Sequence, residues 1–163
     1  MKKVEAEAKA WRHEGDSLPA GSADGTGFHV RLKPKRGASA DESDAFELRF
    51  QAYLKRHQLD FSGGPLRAWL SGHGRDLAPE NCMDFLGWIH HDGTIVHVAT
   101  SGIRVAQSEL PPLDFNISIS IGDPALQAVL TLYGTHRLSA RQALAALNVA
   151  APFQSSAAAE PVP

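Results

Sequence analysis

The segment Phe28-His29-Val30-Arg31-Leu32-Lys33 alternates apolar and basic side chains over six residues, and Pro34 follows it. A period of two is the signature of a half-buried strand. It sends Phe28, Val30 and Leu32 inward and leaves Arg31 and Lys33 together on the outer face. Pro34 ends the run, and Lys35-Arg36-Gly37 makes a basic turn. Four cations therefore gather within Arg31–Arg36, a group able to neutralise several phosphates. Asp41, Glu42 and Asp44 nearby partly offset them.

The rest of the order follows from periodicity and punctuation. Ser39-Ala40-Asp41-Glu42 has the spacing of a capping box, a hydroxyl followed three residues later by a carboxylate. A helix is expected from about 40 to 57, with Phe46, Phe50, Tyr53, Leu54 and His57 on one stripe. Leu59-Asp60-Phe61 and Leu66–Ser71 read as two short strands joined by a turn at Ser62-Gly63-Gly64-Pro65. Pro79 suits the first position of a second helix, whose inner face carries Cys82, Phe85, Leu86 and Ile89 and which Asp92-Gly93 stops. Thr94–Ala106 reads as a strand interrupted at Ser101-Gly102. The resulting β-α-β-β-α-β order is that of a ferredoxin-like, split βαβ core, an α+β fold.

Beyond Pro111-Pro112, Phe115–Ile121 alternates without a fault. Asp123 and Pro124 then open a helix that carries Leu126, Val129, Leu130 and Tyr133 inward and ends at Gly134. Ser139 and Gln142 cap a last helix with Ala143, Leu144 and Leu147. The chain of 163 residues divides into an N-terminal arm over 1–26, a core over 27–108, a strand-helix-helix extension over 109–149 and a tail over 150–163. Both ends are rich in small, polar and breaker residues and are expected to be mobile.

Composition limits function. The net charge is −2, which argues against a strongly basic nucleic-acid binder, but the charge is unevenly spread. Residues 1–60 hold 11 basic and 10 acidic side chains, residues 61–163 hold 5 and 8, and all six lysines precede residue 56. A single Cys excludes an internal disulfide framework and a Cys-rich zinc module. His73, Cys82, His90, His91 and His97 lie within 25 residues, but their spacing matches no zinc module and no metal or other cofactor is expected. No nucleophile elbow, phosphate loop or dinucleotide fingerprint is present, so a non-enzymatic protein without a small-molecule substrate is expected. Asp76, Glu80 and Asp84 read as acids around the start of a helix, where they favour its dipole. No apolar run is long enough for a membrane helix and no secretory leader is visible, so the expectation is a cytoplasmic protein without a membrane partner. Trp69, in register with Arg67, either stacks on a nucleotide or packs inside, depending on whether that face is covered.

Several of these residues carry a resemblance. Gly27-Phe28-His29-Val30, the Gly37-Ala38-Ser39 helix entry, Leu59-Asp60-Phe61-Ser62-Gly63-Gly64 with the following Trp69, Trp88 in the second helix, and the strand Ala99-Thr100-Ser101 to Val105 resemble the YggL-type 50S ribosome-binding proteins. The likeness spans about residues 27–106. It implies a small non-enzymatic protein of the bacterial cytoplasm that associates with the large ribosomal subunit, through rRNA, ribosomal protein or both, and acts in subunit assembly or its regulation. On this reading Arg31, Lys33, Lys35 and Arg36 meet rRNA phosphate, with Lys55 and Arg56 at the end of the first helix as secondary contacts. Members of that family often begin with a dense Arg/Lys arm; here only Met1-Lys2-Lys3 stands in its place, and residues 111–149 have no counterpart in the short members.

A second reading uses that extension. Strand, helix and Ser-capped helix over 114–149 are similar to the ribbon-helix-helix order of dimeric DNA binders, with Asn116, Ser118 and Ser120 outward. The chain would then be a homodimeric regulatory module; on the first reading it is a monomer, or a dimer through the extension. The simpler expectation is that the strand extends the core sheet, because an isolated unit of this size buries too little apolar surface to be stable alone.

Overall fold

A computed structural model of the chain describes residues 26–72, 74–105 and 115–152. The expected arm, the Pro111-Pro112 joint and the end of the tail lie outside them. The elements are β1 (Thr26–Pro34), α1 (Ala40–Arg56), β2 (Leu59–Gly64), β3 (Arg67–Gly72), α2 (Pro79–His90), β4 (Ile95–Thr100), β5 (Arg104–Val105), β6 (Ile117–Ser120), α3 (Pro124–Gly134) and α4 (Ala140–Ala150). The fold is α+β, as expected.

The sheet runs β2-β3-β1-β4-β6, with every neighbouring pair antiparallel. β1 is its centre. It pairs with β3 over Gly27–Arg31 and with β4 over Val30–Pro34, while β5 continues along the edge that β4 leaves, opposite Thr26 and Gly27. The interruption read at Ser101-Gly102 is the gap between β4 and β5. Phe28, Val30 and Leu32 are buried as expected. They join a single core with Phe46, Phe50, Phe85 and Ile89 of the first two helices and Leu126, Ala143 and Leu147 of the last two. All four helices therefore serve one face of the sheet.

Local rules explain the helix ends. Ser39 accepts from the Glu42 amide at 3.1 Å while Glu42 accepts from the Ser39 amide at 3.2 Å, the reciprocal pair of a capping box. Ser139 and Gln142 repeat it at α4, and Asp123 caps α3 by accepting from the Ala125 amide at 2.8 Å. Each such cap contributes about 1 kcal/mol.

One turn is displaced from its expected place. Ser62, Gly63 and Gly64 stay in the ladder opposite Trp69, Ala68 and Arg67, and the chain reverses at Pro65-Leu66. Gly63 has φ +100°, and a Cβ there would lie 2.5 Å from the Arg67 carbonyl oxygen. The glycine thus serves close approach within the hairpin rather than the reversal itself. Leu66, expected at the start of the second strand, is 40% exposed in the turn.

β6 extends the core sheet by pairing with β4 from His97↔Ser120 to Thr100↔Ile117. The Asn116 and Ile121 amides donate to Thr100 and Val96 carbonyls at 2.9 Å, so the pairing reaches almost to the ends of the alternating run. On its other edge the Ser118 amide donates to the Ala151 carbonyl at 3.0 Å, and Ile117 bridges Pro152.

A long-range ion pair ties α1 to the loop before β4. Arg49 donates through Nε and Nη2 to the two oxygens of Asp92 at 2.9 and 3.1 Å, and also to Thr94 Oγ1 at 3.1 Å. Asp92 also accepts from the Thr94 amide. Burial alone would raise the Asp92 carboxyl, but the bonds from Arg49 and Thr94 outweigh it and hold it below the usual carboxylate range. A group with a depressed folded pKa stabilises above its unfolded value of 3.8 and loses that contribution as acid titrates it. Arg49→Ala is expected to lower unfolding free energy by about 1–2 kcal/mol at neutral pH. In urea titrations the gap between the parent and variant should close as pH falls below about 4.

Candidate nucleic-acid interface

The strand period that buries Phe28, Val30 and Leu32 turns Arg31 and Lys33 to the sheet face opposite the helices. Register then decides what stands beside them. Arg31 pairs with Arg67 of β3, and Lys33 pairs with His97 of β4. Arg31, Lys33 and Arg67 are exposed and His97 is half-buried. Neighbouring strands lie about 4.8 Å apart and alternate residues about 6.7 Å apart, so these four groups form a staggered array across three strands, with Arg67 on one side of β1 and His97 on the other. β1, β3 and β6 contain no carboxylate. The acid of β2, Asp60, pairs with Ser71, toward the other end of the hairpin from Arg67.

The remaining expected contacts distribute differently. Lys35 and Arg36 lie in the turn that follows β1. The Lys35 amide donates to the Thr94 carbonyl at 2.7 Å, which fixes the turn against the start of β4. The Lys35 ammonium pairs with the Glu42 carboxylate, and that bond, with the Ser39 amide, holds Glu42 below its usual range. Arg36 is exposed. Lys55 and Arg56 are exposed too, but they close the 17-residue α1 that starts beside this turn. At 1.5 Å per residue they sit roughly 25 Å away along the helix. The structure thus joins Arg31 and Lys33 to Arg67 and His97, sets Lys35 and Arg36 at the border of that array, and leaves Lys55 and Arg56 apart. Arg67 and His97 are the members that sequence reasoning missed, because only the strand register brings them in.

His97 is held by a 2.6 Å hydrogen bond between Nε2 and Ser118 Oγ of β6. Partial burial lowers the pKa of its imidazole, and the cations Lys33 and Arg31 lower it further. Ser118, one of the outward residues of the alternating strand, is therefore engaged inside the sheet face.

Trp69 shares the sheet face of Arg67 and Arg31 yet is 5% exposed, and His29 and Ala99 on that face are buried too, so the face is covered there and open at the end that carries Arg31, Lys33 and Arg67. Its ring meets His29 edge-on at 4.8 Å. Its other neighbour is Gly27, where a Cβ would come within 2.5 Å of the indole and 2.3 Å of the Leu70 carbonyl oxygen. The glycine that opens the Gly-Phe-His-Val motif is there because the indole occupies the volume of any side chain. Trp69 is accordingly no stacking platform, and the array offers charge rather than an aromatic surface.

Among the described residues no three His, Cys, Asp or Glu side chains converge in a way that could hold a metal ion, and no helix is long and apolar enough to cross a membrane. His73 is outside the described residues. Cys82 is fully buried, and burial pushes its thiol up to about 12. No family model, curated protein or solved structure matches the chain.

Gly27→Ala is expected to displace Trp69 and destabilise the fold by about 2 kcal/mol or more. Urea unfolding followed by tryptophan fluorescence measures it, and a variant as stable as the parent would show that the indole has room to move.

Proposed function

We propose that this chain is a non-enzymatic cytoplasmic protein that binds the large ribosomal subunit by docking the open, cationic end of the sheet face opposite its helices on rRNA phosphate. The observation that carries the reading is the acid-poor array of Arg31, Lys33, Arg67 and His97 on a surface without an exposed aromatic platform. Such a surface suits the sugar-phosphate backbone, which positions a protein without reading bases. The YggL-type resemblance supplies the ribosome as the source of that phosphate, and a role in subunit assembly or its regulation accords with it. The strand order β2-β3-β1-β4 supports reading residues 27–106 as a ferredoxin-like core of that type.

The net charge of −2 makes the attraction local. It acts within about a Debye length of the array, about 8–10 Å at ordinary ionic strength. Association should therefore be salt-sensitive but modest, and contacts to ribosomal protein would add to it.

Sucrose-gradient sedimentation of lysate tests the reading. The protein should migrate with free 50S subunits at low salt and return to the top at high salt. A protein that stays at the top at low salt refutes the proposal. Changing Arg31, Lys33, Arg36 and Arg67 together to Ala should weaken association. It should also reduce the slope of log K against log salt by about one for each phosphate that is no longer neutralised.

A further inference from the structure

The array contains one member whose charge is conditional. His97 lies directly across from Lys33, with Arg31 next along β1, while β6 presents Ser120 opposite it and Ser118 in hydrogen-bond contact. Ala99 is its same-face neighbour on β4 itself. The charged groups facing the imidazole are thus both cations, and neither adjacent strand brings a carboxylate to compensate. Ser118 makes the site indifferent to the state of the ring: its hydroxyl donates to a neutral Nε2 and accepts from a protonated Nε2–H. The hydrogen bond survives proton uptake, so protonation needs no rearrangement of the sheet.

We propose that His97 is a proton-coupled phosphate contact, which takes up one proton from solvent when an RNA phosphate docks on Lys33 and Arg31. This rests on the reading of the open end of that face as an RNA phosphate site. Two like charges disfavour imidazolium in the free protein, in the same sense as partial burial. An arriving phosphate reverses that field: it neutralises the neighbouring cations and adds a negative charge beside the ring. Phosphodiesters do not titrate near neutrality, so the proton is taken up by the protein. By linkage, a reaction that binds a proton is favoured as pH falls. Affinity for RNA backbone should rise between pH 8 and pH 6, with His97 as the cause.

The test follows the imidazole signals of the full-length protein by NMR between pH 5 and 8.5, with and without a short RNA duplex, at constant low ionic strength. The titration midpoint of His97 should rise by about 1 pH unit on addition of RNA. Affinity for the duplex should then be up to about tenfold higher at pH 6 than at pH 8. His97→Gln should flatten that dependence. Lys33→Ala should bring the His97 midpoint in the free protein closer to 6.5, the ordinary value. If RNA perturbs the amides of Arg31 and Lys33 but leaves the His97 midpoint in place, the proton coupling is overturned and the phosphate site stands. If RNA leaves those amides unmoved at low salt, the phosphate site itself is overturned and the coupling falls with it. A His97→Gln variant that keeps the full pH dependence assigns the proton to another group and also overturns the proposal.

Discussion

The alternation along β1 is the constraint on which core and surface both depend. The strand lies at the middle of the sheet, bonded to β3 on one side and to β4 and β5 on the other. A slip of one residue would bury Arg31 and Lys33 and expose Phe28, Val30 and Leu32. Their burial in one core with all four helices makes that slip prohibitive. The same period brings Arg31 opposite Arg67 and Lys33 opposite His97. Arg31 and Arg67 are like charges directly across a ladder, which is destabilising. A sheet arranged only for stability would avoid such a pair, and local violations of this kind concentrate at functional surfaces.

Residues 115–152 act on this arrangement from outside. β4 would otherwise end the sheet with a free edge. β6 takes that edge, and on its own outer edge the Ser118 amide donates to the Ala151 carbonyl while Ile117 bridges Pro152. The two terminal helices then close over α2. Tyr133 donates to Asp84 at 3.2 Å, and burial together with that carboxylate pushes the phenol up to about 12. β6 also brings Ser118 against His97. The added segment is thus part of the same sheet and the same core, and it meets the cationic face at Ser118 and Ser120 beside His97.

The sequence announced what depends on neighbours in the chain. Both capping boxes, the Asp123-Pro124 helix start, the inward triad of β1 and the helix stripes follow from spacing within a few residues. What stayed hidden depends on residues far apart. Arg67 joins the array only through the long-range pairing of β1 with β3, whose register sets it opposite Arg31. The burial of Trp69 depends on Gly27, 42 positions earlier. The Arg49–Asp92 pair spans 43 residues and has no local signature. Lys35 shows the intermediate case. The acids after it were visible in the sequence, but which of them would hold its ammonium was decided by the cap: the Glu42 carboxylate that accepts from Ser39 also reaches Lys35.

These hidden contacts bear on how firmly the cations are held. The loop Asp92-Gly93-Thr94 is joined to α1 through Arg49 and to the end of β1 through the Lys35 amide. Thr94 takes part in both, one through its hydroxyl and the other through its carbonyl. The basic turn, the start of β4 and the middle of α1 are therefore tied to one another. Long basic side chains lose rotamer freedom when they engage a phosphate, and their gain is only what remains after that loss. A backbone already fixed at both Lys33 and His97 limits the additional loss to the side chains themselves. With a chain whose total charge is negative, this preorganisation, rather than the number of cations, is what would let a patch of four groups hold an anion in the proposed role.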